Sequence, residues 1–175
     1  RLALGASLLH DASPRLRARV MAMGELLSTR LGAAFMTAQG LPTGWVDART
    51  CLLAEDDANR PESQRLLNAT VNDDRDPELA DRLAELPQPC LLTQGFIARN
   101  REGLTVLLGR GGSDTSASYF AAKLAAVRCE IWTDVPGIFT ADPRLIPGAL
   151  LVRQASYGEA QEIASMGAKV LHPRC

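Results

Sequence analysis

Lysine is almost missing from this sequence. Seventeen of its nineteen basic side chains are arginine, and only Lys123 and Lys169 carry an ammonium. A role that needs a compact, strongly hydrated positive charge therefore has two candidates. Neither sign of charge is in excess: the formal net charge is −1. That excludes the basic stripe through which DNA, RNA or an anionic membrane would be held, and points to a small-molecule partner. No run of eighteen apolar residues occurs, so no membrane span is expected. The four cysteines, Cys51, Cys90, Cys129 and Cys175, form no CxxC pair. Their scatter excludes a zinc knuckle or a redox dithiol and reads as reduced thiols of a cytoplasmic protein. The opening RLALGASLLH lacks the organisation of a secretory signal. No repeat period and no low-complexity linker divides the chain.

What is present is 175 residues, 46% of them apolar, enough to bury one core and expected to form a single domain or a large part of one. The start at Arg1 and the abrupt end at Cys175 read as those of a fragment. Ser13 and Pro14 signal a helix start, and Leu16, Val20, Leu27, Leu31 and Phe35 recur at helical spacing, predicting a helix over 14–38. Residues 55–76 are polar and read as loop, with a turn of helix near 64–68. Pro77 opens a short helix to about Leu86. Residues 89–97 read as one buried strand and 104–109 as another, with a turn at 100–103 that makes a hairpin. An Ala-rich helix is predicted over 115–127, a strand CEIWTD ends at Asp134, and a last helix covers 157–166. Strand, helix and strand in that order predict an α/β fold with a mostly parallel sheet.

Four clusters have residue types suited to chemistry. In LGRGGSD, Arg110 to Asp114 lie where a strand passes to a helix. Glycines there admit a ligand to backbone amides at the positive end of the helix dipole, a setting for an anion, with the Arg110 fork and the Ser113 hydroxyl beside it. The same residues equally make a plain turn in which Ser113 or Asp114 caps the helix. In TDVPGIFTADPR, Thr133, Asp134, Phe139, Asp142 and Arg144 follow a strand's carboxyl end, where α/β sheets collect ligands; Asp142 and Pro143 also suit a simple turn. Lys169 in GAKVLHP could meet a phosphate or be solvated, and His172 reads as structural. Glu25 in MGELLST lies on an otherwise apolar helix, where a carboxylate is either near solvent or used.

Together MGELLST, TQGFIA, LGRGGSD, IWTDVPGIFTADPR and EIASMGAKVLHP, from Gly24 to Pro173, resemble the aspartate kinases of the amino-acid kinase superfamily. The resemblance implies a three-layer αβα sandwich with a mostly parallel central sheet, here an incomplete catalytic domain without a second domain. It implies transfer of the ATP γ-phosphoryl group to the side-chain carboxylate of L-aspartate, with Mg²⁺. It assigns Glu25 to the amino group of aspartate, Arg110, Gly111, Gly112 and Ser113 to carboxylate oxygens, and Phe96 to the pocket wall. Thr133, Asp134, Phe139, Arg144, Lys169 and Val170 fall around the nucleotide, with Arg110, Asp114 and Lys169 at the reacting end. A homo-oligomeric parent is implied as well.

An acceptor carboxylate with a pKa of about 3.9 is already ionised at neutral pH, so no general base is required. The task reduces to aligning two anions and neutralising charge, which Arg, Lys, backbone amides and a metal can do. Three departures from the family stand out. The KFGGTS-type phosphate loop and the effector-binding domains are not in this sequence, and Phe139 stands where Tyr is common. The ending GAKVLHPRC is similar to the kinase half of aspartate kinases fused to diaminopimelate decarboxylase.

Overall fold

The computed structural model describes residues 13–165. They fall into two compact units, one ending at Cys129 and one beginning at Glu130.

The first unit opens with α1, Pro14–Ala38, capped by the Ser13 hydroxyl, which accepts from the Leu16 N–H at 3.3 Å. Pro14 stands at the start, where a missing N–H costs nothing. Then come β1 (Thr43–Val46), a 3₁₀ turn (Ala48–Thr50), α2 (Glu62–Leu67), α3 (Pro77–Ala84), β2 (Cys90–Thr93), β3 (Ile97–Arg99), β4 (Thr105–Leu107) and α4 (Gly112–Lys123). Asp76 caps α3 by accepting from the Leu79 N–H at 2.9 Å.

β1 and β2 pair in parallel, from Thr43 opposite Cys90 to Val46 opposite Thr93. β3 and β4 form the expected antiparallel hairpin, Ile97 opposite Leu107 and Arg99 opposite Thr105. Its turn is tied by the Asn100 side chain, which accepts from the Leu104 N–H at 2.8 Å.

Alternation along the hairpin builds the layers, because successive side chains of a strand point to opposite faces. Ile97 and Leu107 join Ala18 and Ala22 of α1 in one cluster. Ala98, Val106 and Leu108 join Leu66 of α2 and Leu79 of α3 in another, with Tyr119 and Phe120 of α4 against it. Helix, strand and helix layers follow from that two-sided burial, the αβα arrangement. Leu52, Ile97, Leu107 and Leu108 are at most 1% exposed, each contributing about 1.5–3 kcal/mol by burial.

Two expectations are corrected. Residues 89–97 are not one strand: β2 stops at Thr93 and β3 starts at Ile97, because Phe96 takes φ +69° and no ladder runs through such a residue. The expected strand CEIWTD carries no strand pairing, and Trp132 is 88% exposed. Strand propensity is completed only by a neighbouring backbone, and none of the described residues supplies one.

Helix α4 begins three residues sooner than expected and ends at Lys123. Its last turn closes with the Ala125 N–H on the Ala122 carbonyl and the Ala126 N–H on the Ala121 carbonyl, with Ala125 at φ +46°. That is a Schellman stop with alanine in the place usually held by glycine.

In the second unit, Ile138–Thr140 faces Leu150–Val152, joined by a bridge between Phe139 and Leu151 and by Thr140 and Val152 N–H groups donating across at 2.9 and 2.8 Å. Helix α5, Tyr157–Ser165, follows. Ser156 and Glu159 form a capping box at its start, the Glu159 carboxylate accepting from the Ser156 N–H at 2.7 Å. Those hydrogen bonds, the backbone one foremost, hold the Glu159 carboxyl below its usual range.

No helix among the described residues is long and apolar enough to cross a membrane. Cys51 is buried, Cys90 half-buried and Cys129 exposed, all as free thiols.

Candidate active site

The glycines of LGRGGSD earn their place through backbone angle. Gly109 lies at φ +79° and Gly111, the N-cap of α4, at φ +66°, angles that a side chain with a Cβ adopts only under strain. Neither Ser113 nor Asp114 caps the helix; both sit in its first turn. The first helical bonds of α4 run from the Thr115 N–H and hydroxyl to the Gly111 carbonyl, each at 3.0 Å. The amides of Ser113 and Asp114 precede that first bond and are directed outward at the positive end of the helix, a setting for an anion. Arg110 is exposed just before them.

A second turn is locked onto this terminus. Gly95, Phe96 and Ile97 form a three-residue turn closed by the Ile97 N–H on the Gly95 carbonyl at 2.8 Å. A phenylalanine at positive φ costs on the order of 1–3 kcal/mol and persists only where its surroundings dictate it. Here they do. The Phe96 N–H donates to the Ser116 hydroxyl at 2.8 Å and the Gly112 carbonyl at 3.2 Å, and its carbonyl accepts from the Leu108 N–H at 2.9 Å. The Ser116 hydroxyl in turn donates to the Gly112 carbonyl at 2.6 Å. Phe96 is thus fixed against α4, so close to Gly112 that a Cβ added there would meet the Phe96 Cδ2 at 2.7 Å.

Glu25 is half-buried on α1. The residue after it, Leu26, and Ala22 one turn before pack in the cluster that contains Phe96 and Ile97. The first unit thereby gathers the Glu25 segment, the Phe96 turn and, through that turn, the Arg110–Asp114 terminus around one apolar cluster.

Gln94 was missed as an individual residue by the sequence reading. It is 1% exposed at the carboxyl end of β2. Its Oε1 accepts from the Ala48 N–H at 2.9 Å, and its Nε2 donates to the Thr29 hydroxyl at 2.8 Å and the Val46 carbonyl at 3.4 Å. The Thr29 hydroxyl donates to the Glu25 carbonyl at 2.6 Å and accepts from Trp45 Nε1 at 3.1 Å. A glutamine inside the apolar run CLLTQGFI was the available signal, since a buried carboxamide must find partners.

Asp47, just past β1, accepts from Arg49 Nη2 at 2.6 Å, and Arg49 Nη1 reaches Thr105 on β4. The Arg49 hydrogen bond holds the Asp47 carboxyl below its ordinary value, against a smaller opposing effect of burial.

In the second unit Thr133 and Asp134 are exposed, the Thr133 hydroxyl donating to the Asp134 carboxylate at 3.3 Å. Phe139 is half-buried in the bridge to Leu151. Arg144 does not present an open fork: its Nε and Nη2 donate to Asp142 at 3.1 and 2.9 Å. This pair is solvent-exposed and weak enough for a competing phosphate to displace it. Lys169, Val170 and His172 lie outside the described residues.

Residues 5–175 match the model of the amino acid kinase family. The chain is 39% identical over 163 residues to the lysine-sensitive aspartokinase 3 of Escherichia coli strain K12, covering 92% of this chain and 34% of that protein. It is 42% identical over 157 residues to the bifunctional aspartokinase/homoserine dehydrogenase 2 of the same strain, covering 90% of this chain and 18% of that protein. A solved structure of E. coli aspartokinase III in complex with aspartate and ADP superposes with a TM-score of 0.80 at 37% identity, covering 99% of this chain and 37% of that one. The chain thus spans about a third of the length of aspartokinase 3. With its αβα layering and its glycine-rich helix terminus, it belongs to the amino acid kinase family.

Proposed function

We propose that this chain is part of the catalytic domain of an aspartate kinase, and that its parent transfers the γ-phosphoryl group of ATP to the side-chain carboxylate of L-aspartate. The observation that carries the reading is the terminus of α4, where outward amides and Arg110 meet a strained Phe96 turn held to it by hydrogen bonds. Its likeness to an aspartokinase holding aspartate and ADP supports the choice of acceptor.

In this reading Arg110 and the Ser113 and Asp114 amides hold acceptor carboxylate oxygens, with Gly111 and Gly112 admitting them to the backbone. Phe96 walls the pocket, and Glu25 takes the amino group. The ionised side-chain oxygen attacks the γ-phosphorus, the bond from phosphorus to the β,γ-bridging oxygen breaks, and ADP leaves with that electron pair. The product is 4-phospho-L-aspartate. No proton needs to be removed from the nucleophile, so positive charge and alignment are the chain's whole contribution.

In the second unit Thr133, Asp134, Phe139 and Arg144 are assigned to the nucleotide, with Lys169 and Val170. Asp114, half-buried in the first turn of α4, is a carboxylate that would hold Mg²⁺, an ion that needs only one or two such protein ligands beside a nucleotide. When bound, Mg²⁺ would supply charge neutralisation on the transferring group. The parent is read as a cytoplasmic homo-oligomer serving lysine, threonine and methionine biosynthesis.

The test is ADP release by the complete parent with Mg²⁺-ATP and a panel of L-aspartate, L-glutamate, N-acetylglutamate and a nucleoside monophosphate. Turnover with L-aspartate is expected. Preference for any other member overturns the assignment.

A further inference from the structure

We propose that Gln94 is a positioning residue of the acceptor site, holding the Glu25 turn of α1 in register with the Gly95–Phe96 turn. The proposal rests on the reading of an acceptor pocket between those two segments.

The carboxamide of Gln94 is almost wholly buried, and a buried amide is retained only when its hydrogen bonds are made. Three of its four are made, to three different elements: Thr29 on α1, Val46 at the end of β1 and the Ala48 N–H in the 3₁₀ turn. The Thr29 hydroxyl is saturated. Its one hydrogen goes to the Glu25 carbonyl, and its two lone pairs take Gln94 Nε2 and Trp45 Nε1. Ala48, which Gln94 bonds, belongs to an apolar core cluster, so volume alone would be filled by leucine or methionine. An amide at this depth adds direction instead.

The chain then continues from Gln94 straight into Gly95, which touches Ser113, and Phe96, which is bonded to Gly112 and Ser116. One side chain therefore ties the backbone at Glu25 to the backbone that seats the α4 terminus. A shift at Gln94 moves one pocket wall against the other, while Thr133, Asp134, Phe139 and Arg144 belong to a separate unit.

Three variants separate positioning from plain structural support. Gln94→Met keeps volume and removes the hydrogen bonds; Thr29→Val removes the hydroxyl, and Thr29→Ser retains it. In the complete parent, Gln94→Met and Thr29→Val are expected to raise the KM for L-aspartate about tenfold, the scale of one lost buried hydrogen bond, with the KM for ATP unchanged. Thr29→Ser is expected to restore the wild-type value, and the double variant to be no worse than either single one. Equal rises in both KM values, or a fall in kcat with both unchanged, overturn the proposal.

Backbone amide exchange is measured alongside. Faster exchange is expected at Ala48 and also at the Phe96 and Ile97 amides; a change confined to Ala48 overturns the coupling. Should the wild type act on another acceptor, the functional assignment fails and the KM for that acceptor decides the role of Gln94. Should it have no activity, the exchange result alone decides.

Discussion

Gly95 lies so close to Ser113 that a Cβ added at Gly95 would meet the Ser113 Cα at 2.9 Å. The obstacle is backbone in the first turn of a helix and cannot swing aside. Two segments eighteen residues apart in the chain are thereby held at van der Waals contact, and that contact sets where the Phe96 ring stands relative to the α4 amides.

Gly95→Ala is therefore expected to push the turn off the helix. Overpacking of this kind costs about 1–3 kcal/mol, measurable as a lowered denaturation midpoint in urea with an unchanged slope. The KM for the acceptor should rise with it. Wild-type stability would mean that the turn and the helix do not touch.

Arg110 is exposed, so Arg110→Ala should leave stability within about 0.5 kcal/mol while lowering aspartate-dependent ADP release in the parent by orders of magnitude. Arg110→Lys should recover little, because a point charge lacks the planar fork that grips a carboxylate twice. Near-normal turnover of the alanine variant would remove Arg110 from the mechanism.

Asp47 supplies a pH dependence with a definite sign. Its carboxyl titrates lower in the folded protein because Arg49 donates to it, so the folded state binds a proton less readily than the unfolded chain. The resulting stability is fully present above about pH 3.9, the unfolded value, and is lost as pH falls through the folded one. Denaturation midpoints followed downward from pH 5 should drop less steeply in Asp47→Asn than in the wild type. Parallel curves would show that the pair contributes nothing.

Ser156→Ala removes the hydroxyl half of the capping box at α5, which accepts from the Glu159 N–H and donates to its carboxylate, and leaves the backbone N–H of residue 156 on that carboxylate. Faster amide exchange is expected in the first turn of α5, with the first unit unchanged. A small rise of the Glu159 titration by NMR is expected, since the backbone bond remains the larger cause of its lowered pKa, and an unaltered one would contradict the hydroxyl bond.

The fold was readable where local rules act alone. Ser13 and Pro14 mark the start of α1, which runs to Ala38 as expected, but the face it buries is Ala18, Ala22 and Ala33, while Leu27, Leu31 and Phe35 of the expected apolar face are exposed because no described element packs over them. Pro77 opens α3, and the Asn100–Gly103 turn makes the hairpin. The run CLLTQGFI misled because it is mostly apolar and includes Thr93, Phe96 and Ile97, which favour a strand, yet Gly95 and Phe96 are bent by bonds to a helix that begins at Gly112. Nothing near Phe96 in the chain announces a positive φ. The pairing of Arg144 with Asp142, two residues before it, was not read from the loop sequence either.

By itself, the sequence determined the helix starts at Pro14 and Pro77, the hairpin turn at 100–103 and the shortage of lysine, since these depend on residues a few positions apart and on the chemistry of single side chains. Only the tertiary structure decided that Gln94, Thr29 and Glu25 form one chain of hydrogen bonds, and that Phe96 is strained against Ser116 and Gly112. Gln94 is sixty-five residues from Thr29, and Phe96 is twenty from Ser116. Hydrogen bonds are short and directional, so which distant groups come within reach is settled by packing, not by local preference.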